Sequence, residues 1–189
     1  MLGHVLIGLP GSGKSTFARF LADSLPNSII IATDTLRARL YGDERIQGNW
    51  EDIEGEMLRD IETAFAAEKT IIYDATNYER SHRLAWLRHP ETARIEWLAW
   101  HIQTPLNLCQ QWNQKRDRVV PHEVLTSMNR ALTQFPPLAA EGFAAVCAYN
   151  PHKMSLTPQT LHQFLEMGRR GDGETGRWGD RIDLWSLRQ

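Results

Sequence analysis

Cysteine is scarce in this chain: Cys109 and Cys147 are the only two in 189 residues. They share no metal-like spacing, so a disulfide-stapled scaffold and a thiolate metal centre are not expected. A reduced cytosolic protein with free thiols is the default reading. Long hydrophobic runs are missing too. The opening "MLGHVLIGLPGSGKS" has no basic lead, and its apolar stretch is too short to span a bilayer. Neither a signal peptide nor a membrane anchor is therefore expected. An excess of positive charge is also absent. With a formal net charge of -2, no global field draws the protein onto nucleic acid or an anionic surface, and any grip on a polyanion has to be local. The seven histidines show no ligand spacing, which argues against a transition-metal site. With 42% hydrophobic and 23% charged residues, the composition suits a single domain with one sizeable core.

Hydrophobic periodicity alternates along the chain. "HVLIG" (4–8) is a short apolar run ending in glycine, expected to be a buried strand, and "KSTFARFLADSL" (14–25) has helical spacing up to Pro26. "SIIIA" (28–32) is a second strand, followed by a helix near 34–41 that stops before Gly42. From 49 to 69, Trp50, Ile53, Met57, Ile61 and Phe65 form one apolar stripe on an otherwise acidic helix. A strand at 70–77, a helix near 80–88, a strand at 94–102, helices from Pro105 and near Pro121, and a strand at 143–149 complete the pattern. Such alternation predicts an α/β fold: five strands, mostly parallel, with helices on both faces. The domain is expected over 1–167. The glycine-rich, charged stretch after Gly168 is expected to be a loosely tied tail over 168–189.

One motif carries most of the chemistry. "GLPGSGKST" (8–16) fits G-x-x-x-x-G-K-[ST] through Gly8, Gly13, Lys14 and Ser15, with a strand before it and an amphipathic helix after. Glycines let the backbone turn so that successive N–H groups converge on phosphate oxygens. The segment Pro10, Gly11, Ser12, Gly13, Lys14, Ser15 and Thr16 is thus expected to cradle a nucleoside triphosphate. Lys14 would lie on the β- and γ-phosphates and the Ser15 hydroxyl on Mg²⁺. Switches, motors and kinases share this loop, so other residues have to decide between them.

Asp34 ends the second buried strand and Arg37 follows one helical turn on. Asp34 suits a helix N-cap. It also falls at the carboxyl end of a strand, on the rim where open α/β sheets bind ligands. A carboxylate there can take the proton of an attacking hydroxyl, while an arginine one turn on holds an anionic group of the acceptor. The pair favours phosphoryl transfer to a substrate hydroxyl over a hydrolytic switch.

With "GLPGSGKST", "TDTLR", "YDATNYERSHRLAW" and "NQKRDRVVPHEVLTSM" in order over roughly residues 1–150, the sequence resembles the P-loop 5′-hydroxyl polynucleotide kinases and their small-substrate cousins. The resemblance implies a P-loop NTPase fold with a helical lid (about 105–135), ATP and Mg²⁺ as cofactors, Asp34 as general base and Arg37 on an acceptor phosphate. It also implies a lid arginine on the transferring phosphates, best matched by Arg116 with Arg118 as second candidate. Trp112 stands where the phage member often has arginine. The phosphatase or ligase domains often fused to such kinases are not expected here, and the resemblance leaves separate repair enzymes open as partners.

Asp74 ends the third strand, where a carboxylate can hold Mg²⁺ through water or serve the turn "DATN". Thr76 and Asn77 belong to the same turn, with acceptor contact as a secondary role. Lys115, Arg116 and Arg118 form either a solvated run or the cations of the lid. Trp86, Trp97 and Trp100 are expected in the core, whereas Trp50 and Trp112 are candidates for stacking. "YNPHK" (149–153) is a positional guess for the nucleobase. Three readings follow: a kinase for 5′-OH nucleic acid ends, which is favoured; a P-loop kinase for a small-molecule or tRNA-borne hydroxyl; and a non-catalytic nucleotide-binding protein.

Overall fold

The structure is a computed structural model, and it describes residues 1–161 except 117, 156, 158 and 160. The tail expected at 168–189 lies outside the described residues, as does the end of the domain expected at 167. The strands β1 (Leu2–Ile7), β2 (Ser28–Ala32), β3 (Thr70–Asp74), β4 (Glu96–Ile102) and β5 (Ala145–Tyr149) form a five-stranded sheet in the order β2-β3-β1-β4-β5. Every pairing is parallel, so the sheet is wholly rather than mostly parallel.

Parallel strands need crossover connections, and the helices supply them: α1 (Lys14–Ser24), α2 (Thr33–Tyr41), α3 (Trp50–Ala66), α4 (Arg80–Arg88), the single turn α5 (Pro90–Ala93), α6 (Leu106–Asn113) and α7 (His122–Gln134). Because side chains alternate along a strand, each strand feeds two cores. Val5, Ile7, Ile71, Tyr73, Trp97 and Ala99 pack with Ile53, Met57 and Ile61 of α3. Leu6, Ile72, Leu98 and Trp100 face the other way, against Phe17, Ala18 and Leu21 of α1. The apolar stripe of α3 is therefore its core face.

The polar end of "TIIYDATN" falls outside the sheet, since β3 stops at Asp74. Two of the tryptophans expected in the core, Trp97 and Trp100, are 1% and 0% exposed. Trp86 packs against the same core, 5.1 Å from Tyr73 and 4.5 Å from Trp97 between centroids, but is half-buried and also lines the cleft described below. β1 is central, and the chain turns to opposite sides of it for β3 and β4. The carboxyl end of β1 is thus a switch point, where the helices diverge and leave a crevice.

Candidate active site

The residues after β1 wrap into a tight loop that enters α1 at Lys14. Gly11 and Gly13 take φ of +74° and +92°, a region that L side chains avoid. At Gly11 the constraint is double, because an added Cβ would come 2.5 Å from the Cys109 carbonyl of α6. Gly8 N–H donates to the Thr76 carbonyl at 3.0 Å, and the Asn77 side chain donates to the Leu6 carbonyl at 2.8 Å. The turn after β3 therefore braces the loop, and the Asn77 amide nitrogen is committed to that brace. On the other side, Thr104 donates to the Ser12 carbonyl at 2.7 Å.

Lys14 is buried and donates from Nζ to the Leu9 carbonyl at 2.8 Å. Burial, opposed by the nearby Asp74 charge, holds its ammonium below the usual lysine value. Asp74 is 7% exposed and lines the cleft with Ser15, and among the described residues its carboxylate makes no hydrogen bond. A buried carboxylate without a donor, next to a hydroxyl and a phosphate cradle, is a hard oxygen set. It suits Mg²⁺, which binds through one or two protein oxygens together with substrate phosphates.

Asp34 is the second residue of α2. The N-cap is Ala32, with no side-chain capping bond, so the capping role expected for Asp34 is not what the carboxylate does. It instead meets three guanidinium groups. Arg37 Nη1 donates to Oδ1 at 2.8 Å, Arg116 Nη2 to Oδ2 at 3.4 Å, and Arg118 Nη1 lies 3.6 Å from Oδ1. The lid run splits accordingly: Arg116 and Arg118 turn inward, whereas Lys115 is exposed and solvated. Asn113, 3% exposed, brackets the segment carrying both arginines, donating to the Val120 carbonyl at 2.8 Å and accepting from the Val120 N–H at 3.1 Å.

These groups surround one cleft of about 1180 Å³. The phosphate loop, Asp74, Thr76 and Asn77 form one end. Asp34 with its three arginines lines it too, as do Trp50, Trp86 and Trp112. The 149–153 stretch guessed for a nucleobase does not line it.

Two features go beyond what the sequence showed. Glu44 and Glu54 of the acidic 43–62 region, together with Glu79, line the cleft itself. Arg83, 3% exposed, makes a two-pronged pair with Glu141 at 2.7 Å on each arm and donates to the carbonyls of Tyr78 and Phe135 at 3.0 Å. It ties the turn after β3 to the end of α7. Its signal was an arginine on the same helical face as buried Leu87; Glu141 had none.

The model of a family described as an AAA domain matches residues 4–135. The chain belongs to this AAA-domain family. The L-seryl-tRNA(Sec) kinase of Methanococcus maripaludis is 29% identical over 133 residues, covering 66% of this AAA-domain chain and 49% of the relative. The chain thus spans about half the length of that curated protein. A solved structure of the Pnkp1/Rnl/Hen1 RNA repair complex contains a chain similar at TM-score 0.64 and 20% identity, over 70% of this chain and 44% of that one. A sugar kinase from Janibacter sp. HTCC2649 is similar at TM-score 0.57 and 18% identity, over 91% and 96%. At these identities the two structures speak for the shared P-loop kinase fold alone.

Proposed function

We propose that the protein is an ATP-dependent kinase that moves the γ-phosphoryl group to an acceptor hydroxyl. The observation that carries this reading is the Asp34 carboxylate, set on the rim of a phosphate loop and held by guanidinium groups from α2 and the lid. The loop amides and Lys14 hold the phosphates. Ser15 and Asp74 would hold Mg²⁺, which would supply charge neutralisation to the transferring phosphates. The acceptor oxygen bonds to the γ-phosphorus as the bond to the bridging oxygen breaks. Its proton passes to Asp34, and ADP leaves. A triphosphate is a stronger partner than a half-exposed carboxylate, so Arg116 and Arg118 shift onto the transferring group and stabilise its charge. Arg37 stays beside Asp34 and orients the acceptor.

The acceptor is a compact hydroxyl, small or carried at the end of a tRNA. Glu44, Glu54 and Glu79 line the same cleft and would repel the phosphates of a strand threaded through it. The name of the relative, L-seryl-tRNA(Sec) kinase, agrees with such an acceptor. A 5′-hydroxyl nucleic acid end is the second reading, supported by Arg37 one turn from Asp34.

The test is transfer from γ-labelled ATP to a panel of 5′-OH RNA, 5′-OH DNA and small hydroxyl compounds, with Asp34→Asn alongside. Label on an acceptor that falls about 10²–10⁴-fold in the variant, with ATP binding intact, is the expected result. ATP binding with no transfer to any acceptor would leave a non-catalytic nucleotide-binding protein.

A further inference from the structure

The connection from α2 to α3, residues 43–49, is mostly exposed, yet Glu44 and Gln47 on it line the cleft. Two side chains of α2 hold it in place. Tyr41 is half-buried and packs against the core beneath. Its hydroxyl accepts from the Asn49 N–H at 2.9 Å, and its own proton can go to the Asn49 carbonyl at 3.3 Å or the Asp52 carboxylate at 3.2 Å. Gly48 takes a φ of +62° and runs so close to the tyrosine ring that no Cβ would fit there. Ring and glycine together fix where the chain passes. The second hold is Arg37, whose Nε donates to the Gln47 carbonyl at 3.4 Å. The same guanidinium donates from Nη1 to Asp34 Oδ1 at 2.8 Å, and the Arg37 side chain is 13% exposed.

We infer that Tyr41 is a positioning residue for the transfer, acting through Gln47 and Arg37 on the Asp34 carboxylate. A guanidinium is a planar, rigid fork, so contacts at both Nε and Nη1 fix its orientation where one contact would let it swing. The Nε contact falls on a backbone carbonyl of a connection that has no strand or helix of its own to stiffen it. Tyr41 supplies that stiffness by holding the next two residues, Gly48 and Asn49. The consequence reaches a single atom. With Oδ1 held by Arg37, Oδ2 is the oxygen left to take the acceptor's proton once Arg116 moves to the triphosphate. A misplaced Asp34 slows transfer, whereas the nucleotide keeps its own hold on the phosphate loop and Lys14. The inference rests on the kinase reading above.

The experiment uses the full chain with Mg²⁺ and a non-hydrolysable ATP analogue. NMR follows solvent exchange of the Arg37 Nε–H, assigned by its disappearance in Arg37→Lys. Tyr41→Phe keeps the ring over Gly48 and removes the hydroxyl. Water replaces it at the exposed Asn49 N–H, so the melting temperature is expected to stay within about 2 °C of the parent. Exchange at Arg37 is expected to be about fivefold faster in this variant. In transfer from γ-labelled ATP to the acceptor panel above, kcat is expected to fall about tenfold with the KM for ATP unchanged. In an Arg37→Lys background the same change should cost less than about twofold. Gly48→Ala, which pushes the chain off the ring and leaves the hydroxyl intact, should reproduce the faster exchange. Unchanged exchange in Tyr41→Phe, or a kcat loss that persists in full beside Arg37→Lys, would overturn the positioning role. Faster exchange with no label on any acceptor would sink the kinase reading and spare the coupling of Tyr41 to Arg37. Label passing at an undiminished rate in Tyr41→Phe would spare the kinase and sink the positioning role.

Discussion

Three guanidinium groups converge on one carboxylate at Asp34, and only one of them, Arg37, is its neighbour in sequence. The lid pair divides by exposure, with Arg116 at 36% and Arg118 at 20%. Arg116 is the freer to move onto a transferring phosphoryl group. Arg116→Ala is expected to lower kcat about 10²-fold, with ATP affinity changed only a few-fold, as read by steady-state kinetics beside nucleotide titration. A second side chain sets acid stability. His4 is buried, and its Nδ1 accepts from the Trp100 indole at 3.0 Å, which requires the unprotonated ring. Burial lowers its pKa from 6.5 to about 4. The unfolded chain then binds more protons than the native one between these values, so stability falls as pH drops through this window. Urea unfolding at pH 7 and pH 5 should differ by about 2 kcal/mol from this group, and His4→Gln should flatten the difference.

Elements meet at contacts with no spare volume. α6 lies against the phosphate loop so closely that Gly11 has no room for a Cβ. Gly11→Ala combines that clash with a disfavoured φ, and is expected to cost about 2 kcal/mol or more and to abolish the thermal shift given by ADP. Farther out, Arg83 joins α4, the turn after β3, the end of α7 and the 3-10 turn at Ala139–Glu141. Arg83→Met would leave the buried Glu141 carboxylate with only the longer pair to half-exposed Arg80 at 3.5 Å and should cost roughly 3 kcal/mol. The double change Arg83→Met, Glu141→Leu should recover much of that stability in urea unfolding. It should not restore transfer, because the carbonyls of Tyr78 and Phe135 would still lack their common donor.

The cleft as a whole is lined by both signs of charge, Arg37, Arg116 and Arg118 together with Glu44, Glu54 and Glu79. A compact acceptor then gives a shallow dependence of KM on salt. A nucleic acid strand that neutralises several cationic side chains gives a steep one, with log affinity falling by roughly 0.7 per phosphate contact for each log unit of salt. Acceptor KM measured over a range of salt concentrations therefore separates the two acceptor classes without any mutation.

The fold was largely legible in the amino-acid order because its signals are local. Strand and helix periods alternate, Gly8 and Gly13 punctuate the loop, and Asp34 just after β2 and Asp74 at the end of β3 share a rim once the sheet is parallel. The same locality explains what stayed open. Asp34 could be read as a cap or as a general base because either use puts a carboxylate at that turn, and the cleft-lining side of Trp86 leaves no mark among its apolar neighbours. Only the tertiary structure brought Arg116 and Arg118 to Asp34 and paired Arg83 with Glu141. Those contacts join residues far apart in the chain, across crossovers whose packing angle no local pattern encodes.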